Sequence, residues 1–162
     1  PQVSFPSSAM TVTEGYSELV LDINASSPFN YSAIANVKLF INGALVRQES
    51  VAPYEWGHAK SPNPQETTGL PVGEHTFSAV ATDKAGKQTT ASMLLTVAAK
   101  PLLGDLDKDG DVDRNDVRAF SLAVRTGSIT DLAYDFNNDG VVNSYDVRGV
   151  ALLCTRSACA VE

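Results

Sequence analysis

Asp105-Leu106-Asp107-Lys108-Asp109-Gly110-Asp111-Val112-Asp113-Arg114-Asn115-Asp116 places oxygen-bearing side chains at its first, third, fifth, ninth and twelfth positions, with glycine at the sixth. Thirty residues further on, Asp135-Phe136-Asn137-Asn138-Asp139-Gly140-Val141-Val142-Asn143-Ser144-Tyr145-Asp146 repeats the pattern in phase. A hard divalent cation such as Ca²⁺ takes about six to eight oxygen ligands, and alternating Asp and Asn on a tight loop supply them. Glycine at the sixth position permits the positive φ that carries the chain around the ion. The seventh residue offers its carbonyl, so Asp111 and Val141 serve equally well there. Two calcium ions are therefore expected. The first ligand set is Asp105, Asp107, Asp109, Asp111, Asp113 and Asp116; the second is Asp135, Asn137, Asp139, Val141, Asn143 and Asp146. Val112 and Val142 fall on the eighth position, where the two loops are expected to pair as a short two-strand contact.

The loops follow the twelve-residue EF-hand scheme with two departures. Pro101 breaks the short segment before Asp105, so no entering helix is expected. Asp, rather than Glu, closes each loop. A similar phrase follows each: Asp116-Val117-Arg118-Ala119-Phe120-Ser121-Leu122 and Asp146-Val147-Arg148-Gly149-Val150-Ala151-Leu152. Over residues 103–155 this repeated loop–helix pattern resembles a dockerin domain. The resemblance implies a small, calcium-folded, all-α module of three helices that docks on a cohesin domain and so tethers a secreted polysaccharide-degrading enzyme to a scaffold. By position it also implies a partner surface of Arg114, Asn115, Ser144 and Tyr145, with Arg118 and Arg148 beside them; the alternative for these residues is a solvated face. The two pairs differ in size and charge, which argues against two interchangeable binding orientations. Val117, Phe120, Leu122, Val124, Val147, Val150, Leu152 and Leu153 are the expected core of this module, and residues 129–134 an expected connecting helix.

Charge agrees with metal binding. Residues 101–162 carry eleven acidic and six basic residues, against eight and six in residues 1–100. Two Ca²⁺ ions would nearly neutralise the second half, and the acidity argues against nucleic acid as a partner. No apolar run reaches the roughly 20 residues needed to span a bilayer. A chain that starts at Pro1 reads as an excised fragment. Cys154 and Cys159 are too few for a zinc site; a disulfide closing the last turn, in an oxidising compartment, is expected, with two reduced cysteines on a frayed end as the alternative.

Residues 1–99 read as strands. Leu19-Val20-Leu21-Asp22-Ile23 and Val37-Lys38-Leu39-Phe40-Ile41 mix alternation with short apolar runs, and Asn42-Gly43 marks a two-residue hairpin. A strand from His75 to Thr82 turns through Asp83-Lys84-Ala85-Gly86 into the last one. About seven short strands suggest an antiparallel sandwich. The wording around Val37-Lys38-Leu39-Phe40-Ile41-Asn42-Gly43, Pro53-Tyr54-Glu55-Trp56 and residues 73–86 resembles the bacterial immunoglobulin-like modules found beside carbohydrate-active enzymes, which implies a spacer or support domain. Tyr54 and Trp56 could stack on sugar; the expected place for Trp56, the single tryptophan, is the core. His75 is expected on the solvent side or at the sheet edge. Residues 57–72 read as a long loop, and Asn24 and Asn30 match glycosylation acceptors.

The expected architecture is thus a two-domain chain: an all-β sandwich, residues 1–99, and an all-α dockerin-like domain, residues 100–162, with loops at 105–116 and 135–146. No nucleophile elbow, phosphate loop or metalloprotease helix is present, so no catalytic residue and no small-molecule substrate is expected. Three functions compete: a cohesin-binding docking module of a secreted bacterial enzyme; a calcium-stabilised structural cap or spacer of an extracellular enzyme; and a carbohydrate-binding accessory unit.

Overall fold

The computed structural model describes residues 1–28, 32–60 and 62–161. Asn30 lies outside them. The chain forms two compact units, Pro1–Lys100 and Pro101–Glu162.

The first unit is a β-sandwich of eight strands: β1 (Gln2–Ser4), β2 (Ala9–Thr13), β3 (Leu21–Ser26), β4 (Ile34–Ile41), β5 (Ala44–Glu49), β6 (Tyr54–Trp56), β7 (Gly73–Asp83) and β8 (Gln88–Ala98). One sheet has the order β1-β3-β6 and the other β2-β8-β7-β4-β5. All pairs are antiparallel except β2 with β8. Alternation fixes which face is buried. Leu21 and Ile23 on β3, Tyr54 and Trp56 on β6, Val37 and Leu39 on β4, and Phe77, Ala79 and Ala81 on β7 point into one core. The Asn42-Gly43 hairpin forms as read, with both residues at positive φ (51° and 81°), the geometry of a type I′ turn.

His75 departs from its expected solvent position. It is 6% exposed; its ring nitrogens lie 2.9 Å from Asn42 Nδ2 and 2.8 Å from the Pro71 carbonyl oxygen. Alternation itself puts His75 on the buried face with Phe77 and Ala79, and the hairpin asparagine supplies the polar partner that its burial requires. The long loop at 57–72 is tied to the sheet. Arg47 donates two hydrogen bonds to Glu66 (2.9 and 3.0 Å), Glu66 accepts from the Gly57 amide, and the buried Thr67 hydroxyl donates to the Leu19 carbonyl at 2.6 Å.

The second unit corrects the expected fold class. Among the described residues no separate all-α dockerin-like domain is present. Most of their regular structure is the sandwich, and their α-helices are two short ones, α1 (Arg114–Thr126) and α2 (Val147–Leu152), with single 3-10 turns at Leu132–Tyr134, Ser144–Asp146 and Ser157–Cys159. The reasons are local. Gly127 in the left-handed region closes α1, and the expected helix at 129–134 shrinks to one 3-10 turn because Asp131 caps it and the second loop begins at Asp135. In α2, Gly149 lies under the Phe136 ring: a Cβ there would sit 2.1 Å from it. Glycine inside a helix costs about 1 kcal/mol relative to alanine, which opposes extension. The positions thirty residues earlier hold Leu106 and Ala119, a smaller side chain than Phe and a larger one than Gly.

The core of this unit is small. Val112, Phe120 and Val150 are buried, and Val117, Val124, Tyr134, Phe136, Val147 and Leu153 pack partly against them. The Phe120 and Tyr134 rings are 5.4 Å apart. Leu122 (54% exposed) and Leu152 (75%) do not join the core. Each follows the buried Phe120 or Val150 by two residues, about 200° around a helix, so one side of each helix holds the buried residue and the other holds the leucine.

Candidate metal centre

The two loops are built alike from the backbone up. In the first, the buried Asp116 carboxylate accepts hydrogen bonds from the amides of Leu106 (2.7 Å) and Asp107 (3.2 Å) through one oxygen and from Asp113 (2.8 Å) through the other. In the second, buried Asp146 accepts from Phe136 (2.9 Å), Asn137 (3.3 Å) and Asn143 (2.8 Å) in the same arrangement. The closing aspartate thus sews the start of each loop to its end. A carboxylate shorter than Glu suits this role, because it must reach backbone on both sides. Asp105 and Asp135 bind the amides of the sixth-position glycines at 3.1 and 2.8 Å. Gly110 and Gly140 have φ of 100° and 84°, which side chains resist. The ninth residue is also a helix cap: Asp113 accepts from the Asn115 amide at 2.6 Å and Asn143 from the Tyr145 amide at 2.8 Å.

The carboxylates of the first loop converge. One oxygen from each of Asp105, Asp107 and Asp116 lies within 4.8 Å of the others, and so does one from each of Asp109, Asp111 and Asp113. Partial loss of hydration and then the neighbouring carboxylates of Asp116, Asp109 and Asp105 push the Asp107 pKa up. An all-oxygen set of converging carboxylates, with no soft or nitrogen ligand, fits a hard cation such as Ca²⁺. The second loop has no such carboxylate trio among the described residues. Its asparagines face Asp139 instead: Asn137 Nδ2 donates to Asp139 Oδ2 at 2.8 Å and Asn143 Nδ2 to the same oxygen at 3.5 Å. These bonds, with the Val141 amide, hold the Asp139 carboxyl below its ordinary pKa.

Val112 does not pair with Val142 as the eighth-position scheme suggests. Its amide donates to Thr155 Oγ1 (3.1 Å) and its carbonyl accepts from the Thr155 amide (3.0 Å). Arg156 forms an ion pair with Asp111 at 2.5 Å. Thr155 and Arg156 lie inside the ring closed by the Cys154–Cys159 disulfide. The disulfide-closed C-terminal turn therefore takes the strand position against the first loop. Neither residue carries a motif; the adjacent cysteine pair is the only sequence signal that could have drawn attention to them.

Of the positions matched to a partner surface, Arg114, Arg118, Ser144, Tyr145 and Arg148 are exposed, Tyr145 by 80%, and Asn115 is half-buried. In the sandwich, Trp56 and Tyr54 are 0% and 8% exposed, so they form no sugar-stacking platform.

The chain is 41% identical over 160 residues to an ulvan lyase, long isoform, of Glaciecola sp. (strain KUL10); the match covers 99% of this chain and 15% of that protein. It is 37% identical over 159 residues to the corresponding protein of Pseudoalteromonas sp. (strain PLSV), again 15% of its length. The chain thus spans about 15% of the curated relatives it matches, and the matched stretch includes both compact units. No family model matches. Among solved structures, the fibronectin(III)-like modules of Clostridium thermocellum CbhA align over 62% of this chain and all of theirs, with 20% identity and a TM-score of 0.47. SGBP-B of the Bacteroides ovatus mixed-linkage glucan utilization locus aligns over 63% of this chain and 25% of its own, with 15% identity and a TM-score of 0.39. No helix among the described residues is long and apolar enough to cross a membrane.

Proposed function

We propose that this chain is a non-catalytic accessory segment of a secreted, ulvan-degrading lyase, in which a β-sandwich spacer is followed by a cap that calcium folds. The observation that carries this reading is the 41% identity along 99% of the chain to only 15% of an ulvan lyase. The sites agree with it. The two histidines offer no obvious acid–base pair, since His75 is buried and held by Asn42 and Pro71. Nine of the eleven acidic residues in 101–162 stand in its two loops, and the oxygen sets there suit Ca²⁺, which is abundant outside cells. A unit of about 60 residues buries too little to be very stable unaided, so metal binding energy becomes folding energy. The first loop, with five side-chain carboxylate ligands against three, is the tighter site in this reading. The ligand in view for the enzyme as a whole is its polysaccharide, while cohesin docking gains no support from the relatives. The test compares ulvan cleavage by the chain alone and by a full-length relative with and without this segment. The reading expects no cleavage by the chain and an unchanged kcat on soluble ulvan after truncation. Cleavage by the chain, or a kcat that collapses on truncation, contradicts it.

A further inference from the structure

The sandwich carries a second cluster of ligating groups that the calcium loops do not explain. Asp22 on β3 and Glu55 on β6 are direct cross-strand partners. Their neighbours Leu21, Ile23, Tyr54 and Trp56 are buried, so alternation turns both carboxylates to the outer face of the sheet. Directly opposed side chains have Cβ atoms about 5 Å apart, and like charges at that spacing destabilise the pair. Among the described residues neither carboxylate forms an ion pair. Instead the nearby group is an imidazole: one ligand atom from each of Asp22, Glu55 and His58 lies within 4.8 Å of the other two.

His58 reaches this face because the chain turns at Gly57. That residue is buried, has φ of 71°, and a Cβ on it would lie 2.0 Å from the Leu19 carbonyl oxygen. The turn is held by Glu66, which accepts from the Gly57 amide at 3.0 Å, and by Thr67, which donates to the same Leu19 oxygen. Two of the three groups therefore stand on paired strands and the third on a locked turn, the kind of support that keeps a metal site in shape. Shallow grooves border the cluster on both sides, one along Asp22 and Glu55 and the other along His58 and Glu18.

We propose that Asp22, Glu55 and His58 bind a borderline transition-metal ion of the Zn²⁺ class, with water completing the coordination. One imidazole nitrogen and two carboxylate oxygens suit that class, and three protein ligands leave a position open. The ion removes the cross-strand repulsion and pins the 57–72 loop to the three-stranded sheet.

The test is calorimetric titration of ZnCl₂ into the calcium-saturated full chain and into His58→Gln, Asp22→Asn and Glu18→Gln, with folding checked by circular dichroism. The parent chain and Glu18→Gln should each bind one zinc ion with equal affinity. Loss of a metal ligand should cost at least the roughly tenfold that loss of a supporting partner costs, so His58→Gln and Asp22→Asn should each weaken binding by tenfold or more. A parent chain that binds no zinc overturns the site. So does zinc that binds equally well after His58→Gln, since it then resides among the carboxylates of the calcium loops, which contain no histidine.

Discussion

Replacing Asp116 with alanine separates two roles that the closing aspartate combines. Its buried carboxylate accepts three backbone amides, two of them at 2.7 and 2.8 Å, and it also belongs to the converging trio with Asp105 and Asp107. Hydrogen bonds to a charged group contribute about 1.5–3 kcal/mol each, and removing the acceptor leaves the amides of Leu106 and Asp113 unsatisfied. Two strong bonds give on the order of 3–6 kcal/mol, comparable to the whole stability that one small core supplies. Asp109 is the control. It is exposed and, among the described residues, accepts the Asp111 amide alone, at 3.1 Å, so Asp109→Ala removes a proposed ligand with little effect on the frame. The assay is thermal unfolding of both variants, followed by helical circular dichroism, in calcium and in chelator. Asp116→Ala should leave residues 101–162 unfolded or nearly so even in calcium. Asp109→Ala should fold with calcium and lose at least about tenfold in affinity at the first site. Equal effects from the two substitutions would refute the sewing role of Asp116.

Other consequences are simpler to state. Thr155→Val, or reduction of Cys154–Cys159, should weaken calcium at the first loop more than at the second, because Thr155 holds both backbone groups of Val112; loop closure by so short a ring contributes roughly 2 kcal/mol, and two-site calorimetry reads the difference. Gly57→Ala should destabilise the sandwich by at least about 2 kcal/mol, from left-handed strain and the clash with Leu19, as measured by urea denaturation followed on Trp56 fluorescence. Calcium affinity should fall as pH drops. The Asp107 pKa is raised in the ion-free loop, so protonation relieves repulsion there and stabilises that form as pH falls toward the raised value, while Ca²⁺ must displace the proton; titrations between about pH 7 and pH 5 check the sign.

Much of this was legible in the residues. The strands showed themselves because alternation around Leu21, Val37 and Phe77 is a local signal, and Asn42-Gly43 names its own turn. The two matching loops were legible because their residue spacing repeats, and Gly110 and Gly140 take the positive φ read for the sixth position. What failed was what depends on distant partners or on small energy differences. The core position of His75 depends on Asn42, thirty-three residues away. The partner of Val112 is Thr155, forty-three residues away, and nothing local favours it over Val142. The expected three-helix domain failed because the phrases after each loop carry a helical pattern without enough length: Gly149 under Phe136, Gly127 and the Asp131 cap leave one helix of 13 residues and one of six. The exposure of Leu122 and Leu152 follows from the same shortness, since so few elements cover only one side of each helix.

The central claim, that calcium holds residues 101–162 in their fold beside an independently stable sandwich, has a direct test with two separate signals in one sample. The single tryptophan, Trp56, is fully buried in the sandwich, so its emission reports the first unit, whereas α1 and α2 belong to the second. Chelation of the purified chain should remove most of the helical circular dichroism and leave Trp56 emission unshifted, and added Ca²⁺ should restore the helical signal. Helical signal that survives complete calcium removal would contradict the account.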